Sequence, residues 1–195
     1  MRTSCITNTK KTKSKENNKD LITFIIIADT PTSRMRSYGP SSLLTINSKR
    51  LIDIQINEIQ KSFSNFEIIL CTGFESEKIN KYIRSEHKKV NIRIVENQDY
   101  EITNSCESLR LALNNTLNDN IVIMDGNIIF KCGVIENIGV NDGYILFEEQ
   151  NPTLEVGVNV NERGIVEHIG FGASYGWSEI LHIYGESYIN SLYRV

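Results

Sequence analysis

The chain has 195 residues, 40% of them hydrophobic and 23% charged, the composition of a single soluble globular domain large enough to bury a core. Its net charge of -3 gives no basis for general nucleic-acid binding, and no apolar run is long enough to cross a bilayer. The polar N-terminus lacks a hydrophobic signal core, so the expected compartment is the cytoplasm.

Residues Met1 to Asp20 carry Lys10, Lys11, Lys13, Lys15 and Lys19 among Thr, Ser and Asn. Such a basic tail buries too little to order itself and is expected to be disordered, available to a protein or anionic partner. The single domain then runs from residue 21 to 195. Phe24-Ile25-Ile26-Ile27 is too continuously apolar for a strand with one wet face and reads as the central strand of a parallel sheet. The loop Ala28-Asp29-Thr30-Pro31-Thr32-Ser33 follows and ends in Arg34, at the end of a strand where open α/β sheets bind ligands. Arg34 would bring a planar cationic fork suited to phosphate.

From Leu51 to Phe63 the apolar spacing is helical, Glu67–Cys71 is a second buried strand, and Glu75–Ser85 is a helix with Ile79, Tyr82 and Ile83 inward. Val90–Val95 is a third strand and Asn97–Asn104 a polar loop. Cys106–Leu117 is a third helix, which Ser105 is placed to cap, with Leu109, Ala112, Leu113 and Leu117 inward. Ile121–Met124 is a fourth strand leading into Asp125-Gly126-Asn127. This alternation is the signature of a doubly wound α/β sheet with right-handed crossovers. Tyr144–Glu148, Leu154–Val160, Gly164–Ile169 and Glu179–Tyr184 read as a short antiparallel extension, with a hairpin loop at Asn161–Gly164 and a last helix at Glu186–Tyr193. The four cysteines have no CxxC spacing and read as reduced core side chains, and the three histidines form no metal-binding pair.

The segments IADTPTSRM, PSSLL, the turn Asn47-Ser48-Lys49-Arg50-Leu51-Ile52, Cys71-Thr72-Gly73-Phe74, the stretch from Asn97 to Leu109, and Gly126-Asn127-Ile128-Ile129-Phe130 stand in a telling order. Together they resemble the nucleotidyltransferases of GT-A-like fold, which include sugar-1-phosphate nucleotidyltransferases, phosphocholine cytidylyltransferases and MobA-like proteins. The resemblance implies a three-layer, Rossmann-like, mostly parallel sheet with helices on both faces. It implies transfer of a nucleoside monophosphate from an NTP to a phosphorylated small molecule, such as phosphocholine or a sugar 1-phosphate. Catalysis there is charge neutralisation and in-line positioning, with Mg²⁺ as cofactor. Carried over by position, Arg34 would clamp phosphates and Ala28, Asp29, Thr30, Thr32 and Ser33 would form the phosphate loop. Thr72, Gly73, Asn104, Ser105 and Ser108 would line the base and sugar pocket, and Asp125 and Asn127 would lie at the metal and catalytic position.

The chain departs from the family pattern where charge matters most. Thr30 and Thr32 replace loop glycines, Pro31 removes an N–H donor, Ser41 stands at the lysine position, and Asn127 stands at the metal aspartate. The sequence therefore supports two expectations, an active transferase or a pseudoenzyme kept as a binding or assembly module. A GT-A glycosyltransferase using Asp125-Gly126-Asn127 ranks below both.

Overall fold

The computed structural model describes residues 3–4, 21–30, 36–138, 144–148 and 156–185, together with 187 and 189. In chain order the strands and helices are β1 (Thr3–Ser4), β2 (Ile22–Ala28), β3 (Thr45–Ile46), β4 (Lys49–Arg50), α1 (Leu51–Ser62), β5 (Phe66–Thr72) and α2 (Ser76–Glu86). They continue as β6 (Ile92–Glu96), α3 (Ser105–Leu113), β7 (Asn120–Asp125), β8 (Tyr144–Glu148), β9 (Val156–Val160), β10 (Val166–Phe171) and β11 (Tyr175–Tyr184).

The main sheet runs in the order β1-β8-β11-β7-β2-β5-β6, with β9 paired to β10 and β11. β2 pairs in parallel with β5 on one side and β7 on the other, and β6 extends β5. The chain steps outward from β2 through β5 to β6, then returns across to β7. Between β2 and β7 the direction of winding reverses, and the carboxyl ends of those strands leave a crevice there.

Alternation along β2 explains the layering. Phe24 and Ile26 join Ile52, Ile56 and Ile59 of α1 and Ile79 and Ile83 of α2 on one face. Ile25 joins Ile69, Cys71, Ala112 and Leu113 under α3 on the other. A strand buried on both faces must be apolar at every position, hence the run of isoleucines. Phe24 anchors the first layer against Phe63 and Phe66, at ring centroid separations of 5.1 and 6.5 Å. β8 and β11 continue the sheet antiparallel beyond β7. The β9–β10 hairpin sits on the first residues of β11, past the carboxyl end of β7. Its turn is held by Asn161, whose Oδ1 accepts from Arg163 and Ile165 N–H at 3.0 and 3.1 Å.

Three expectations need correction. The third helix stops at Leu113, and Leu117 is fully exposed instead of facing the core. The polar run behind the helix draws the backbone away: Asn115 Nδ2 donates to Leu111 O at 2.9 Å and Asn118 Nδ2 to Leu21 O at 2.7 Å. The cap is Asn104, not Ser105; its Oδ1 accepts from Cys106 N at 3.0 Å, while Ser105 is the first helical residue. Finally, among the described cysteines only Cys71 is a core side chain, its thiol pushed up to about 12 by burial and by Asp29. Cys106 and Cys132 are free and exposed.

Thr3 and Ser4 of the basic tail add a short strand to β8; residues 5–20 lie outside the described residues. So does most of the expected final helix, of which residues 187 and 189 are helical, with Ile189 buried in the second layer. Among the described residues no helix is long and apolar enough to cross a membrane.

Candidate functional site

Three strand ends meet at the reversal point. Register pairs Ala28 with Thr72 and Ile27 with Asp125, so Asp29, Gly73 and Gly126 follow side by side. Gly126 N donates to Ile27 O at 2.7 Å, and Phe74 N donates to Asp29 O at 2.8 Å.

Asp29 is the buried hub, 1% exposed. Its carboxylate accepts from Ser108 Oγ at 2.5 Å, and Ser108 Oγ accepts from Asn97 Nδ2 at 3.0 Å. Asn97 also donates to Thr103 Oγ1 at 3.0 Å, while its Oδ1 accepts from Asp99 N at 3.0 Å. One buried amide thus fixes the polar loop that precedes α3 and ties it to the end of β2. Thr72 is fully buried, its hydroxyl 2.9 Å from that of Ser76. Thr72 and Ser108 therefore support the floor of the cleft rather than face it. Thr30 is half-buried beside Asp29, and Asn104 and Ser105 are exposed at the start of α3.

The 125–128 turn is stitched by the side chains of Asp125, Gln55 and Ser41. Asn127 N donates to Asp125 Oδ1 at 2.6 Å. Gln55, buried in α1, donates through Nε2 to Asp125 O at 3.0 Å and to Ile128 O at 2.9 Å. Ser41 Oγ donates to Asn127 Oδ1. The positions where the resemblance calls for a lysine and a metal carboxylate are in direct contact, and both are uncharged. Gln55 was not singled out from the sequence, although a lone amide in the stripe Ile52, Gln55, Ile56, Ile59 is the signal that could have shown it.

Burial raises the pKa of Asp125; the N–H of Asn127 counteracts this and the charge of Asp29 adds to it. The sign follows directly: stability is full below the ordinary carboxylate range and falls as pH rises through the raised value. Asp125→Asn keeps the acceptor for Asn127 N and carries no titrating charge. It is expected to melt higher than the parent at pH 7 to 8, with the advantage gone near pH 3.5; equal melting at every pH refutes the burial cost.

A magnesium ion would need hard oxygen donors, mostly anionic. Among the described residues no group of three or more Asp, Glu, His or Cys side chains is arranged to hold a metal. The amide oxygen of Asn127 is already used by Ser41, and Asp29 is buried under Ser108. These residues do not fit a dedicated magnesium seat.

Residues 31–35 lie outside the described residues, and with them Thr32, Ser33 and Arg34. Just beyond, Arg36 reaches across the mouth of the cleft to Glu101 at 2.6 Å and lies 5.3 Å above the Phe74 ring. Phe74 in turn meets Tyr100 edge-on at 6.4 Å.

No family model and no curated protein matches the sequence. Solved structures do match the fold. CTP:phosphocholine cytidylyltransferase from Streptococcus pneumoniae superposes with a TM-score of 0.70 at 21% identity, over 89% of this chain and 78% of that one. Inositol-1-phosphate CTP transferase from T. maritima gives 0.66 at 16% identity, over 83% and 70%. 4-Diphosphocytidyl-2C-methyl-D-erythritol synthase from Anaerococcus prevotii gives 0.59 at 16%, over 90% and 73%. The chain has the nucleotidyltransferase fold.

Proposed function

We propose that this nucleotidyltransferase-fold chain binds a nucleotide at the β2–β7 crevice and has given up magnesium-assisted transfer. The observation that carries this reading is the Ser41–Asn127 hydrogen bond. Two phosphorylated substrates can meet only if cations offset their charges, and here two neutral side chains satisfy one another where those charges would stand. What remains is a preorganised polar floor, Asp29–Ser108–Asn97, beneath a mouth rimmed by Phe74 and Tyr100. Arg34, with Arg36 beside it, is the phosphate-holding group in this reading.

The test is a thermal-shift panel of the four NTPs, each with Mg²⁺ or with EDTA. One nucleotide is expected to stabilise the chain equally in both, without pyrophosphate release, and Arg34→Ala is expected to abolish the shift. Unchanged stabilisation of Arg34→Ala refutes the clamp, and absence of any shift refutes the nucleotide reading.

A second reading is an active transferase that takes an NTP and a phosphorylated small molecule, phosphocholine or a sugar 1-phosphate. Asp125 favours it, because burial and the charge of Asp29 disfavour its ionised carboxylate, a cost that a bound cation would offset. Pyrophosphate release that needs both Mg²⁺ and such an acceptor would establish this reading over the first.

A further inference from the structure

Arg36 and Glu101 meet across the mouth of the crevice. They lie 65 residues apart in sequence, yet Arg36 Nη2 donates to Glu101 Oε1 at 2.6 Å. The guanidinium also sits 5.3 Å above the Phe74 ring, and the Tyr100 hydroxyl donates to the same Glu101 oxygen at 3.4 Å. The two partners are held differently. Glu101 belongs to a turn in which Ile102 N and Thr103 N both donate to Asp99 O at 3.0 Å. Its neighbour Tyr100 packs so closely on the turn after β5 that a Cβ on Gly73 would stand 2.7 Å from Tyr100 Cβ. Arg36 opens a single 3₁₀ turn, Arg36–Tyr38, that ends at Gly39 with a φ of +88°. The carboxylate is the fixed half of the pair, and the guanidinium, on a long side chain from a short turn, is the half free to swing.

The pair does little for the fold. Its side chains are 55% and 60% exposed, and an ion pair that wet favours its closed form by about fivefold at most. Its position matters more. A nucleotide brings several negative charges to the crevice, where the neutral Ser41 and Asn127 satisfy one another. Offsetting those charges falls to Arg34 and Arg36, and the second of these is already held by a carboxylate. A phosphate drawn to that guanidinium also meets the like charge of Glu101.

We propose that Glu101 is a built-in competitor for the nucleotide's phosphates, holding Arg36 at the mouth until a ligand draws it away. The inference rests on the nucleotide reading above and adds the residue that restrains binding. A triphosphate, with several charges against one, wins the exchange, because it can take the planar fork of the arginine with two oxygens at once. Until then only the fraction of chains with the pair open can bind at full strength, so apparent affinity falls by about the factor that favours the closed form. The restraint is weak enough to be displaced and sits where displacement uncovers the Phe74 ring.

Calorimetric titration of each of the four NTPs in EDTA into the parent, Glu101→Gln, Arg36→Gln and the double variant tests this. Glu101→Gln is expected to tighten the preferred NTP about threefold to fivefold. Arg36→Gln is expected to weaken it about tenfold and to abolish the gain from Glu101→Gln, a coupling that a merely structural role for Glu101 would not produce. Both positions are exposed, so the folded state should tolerate all three changes. Binding that appears only once Glu101 is replaced also supports the competitor role. An NTP bound by Glu101→Gln no better than by the parent overturns it and leaves the nucleotide reading standing. So does a gain that persists without Arg36, or an Arg36→Gln chain that binds as the parent does. No binding by any of the four proteins overturns the nucleotide reading and this inference with it.

Discussion

The double variant Ser41→Lys with Asn127→Asp is expected to make nucleotide binding depend on magnesium. Binding should tighten by on the order of tenfold, and slow pyrophosphate release should appear where the parent shows none. The two side chains touch in the parent, so the introduced ammonium and carboxylate would meet as a pair rather than as isolated charges in a half-buried cleft. A charge-assisted hydrogen bond is stronger than the neutral one it replaces, by about 1 kcal/mol or more. The new carboxylate would also stand two residues from Asp125, giving a hard cation a second carboxylate where a neutral amide stood. The single variants should behave differently. Asn127→Asp alone adds a negative charge beside Asp125 and Asp29 with nothing to offset it, and should lower the melting temperature. Ser41→Lys alone sets an ammonium against an amide and should change binding little. The signature is thus coupling, a double-variant effect larger than the sum of the singles. Thermal shift with Mg²⁺ against EDTA, followed by a pyrophosphate assay, checks it. A double variant as indifferent to magnesium as the parent means that the crevice does not hold phosphate near residues 41 and 127.

The scaffold was legible in the sequence for a simple reason. β2 is wedged between two parallel neighbours and covered on both faces, so Ile22 to Ala28 has no place for a polar alternation, and apolar runs of that kind are easy to see. Helix α1 announced itself by period, as did the inward Ile79 and Ile83 of α2. Helix α3 was misjudged at both ends because its limits are set by side-chain-to-backbone bonds of asparagines, Asn104 at the start and Asn115 and Asn118 at the end. Those bonds depend on where neighbouring backbone lies, and Leu117 carried the helical period one turn too far.

The site was legible as positions but not as contacts. Ser41, Asp125 and Asn127 were each singled out from the sequence, yet nothing in it shows that Ser41 donates to Asn127 across 86 residues. The same holds for Gln55, which braces the 125–128 turn from the middle of α1. Asn97 was quoted only as part of a longer segment; its role follows from the approach of Ser108 and, through it, of Asp29 from the far end of β2. The Asp29 hub was assigned to a phosphate loop, and the structure places it beneath Ser108, where it orders the neighbouring loop. Arg34, on which the phosphate clamp rests, falls among the residues that are not described.

Substituting alanine at Gly73 is expected to be the most damaging small change at this site. A Cβ there would stand 2.5 Å from the backbone oxygen of Asp29 and 2.7 Å from Cβ of Tyr100. Contacts that short must be relieved by moving something, and a backbone oxygen at the end of a central strand moves only with its strand. The same oxygen accepts from Phe74 N at 2.8 Å, and Thr72 O accepts from Asn97 N at 2.8 Å, so the shift would pull on both loops that rim the crevice. Overpacking of this kind costs about 3 kcal/mol, which for a chain this long lowers the melting temperature by roughly 6–12 °C. Any nucleotide-dependent stabilisation should disappear with it, because Tyr100 and Asp29 are the groups displaced. Gly172→Ala is the matched control: its φ of +76° disfavours a side chain, but nothing lies within 4 Å of the added Cβ. That variant should lose only the backbone cost, about 1 kcal/mol, and keep its nucleotide response. Denaturant unfolding of both variants separates the steric cost from the conformational one. A Gly73→Ala chain no less stable than Gly172→Ala would mean that the β2 and β5 ends are not packed as tightly as the 2.5 Å approach requires.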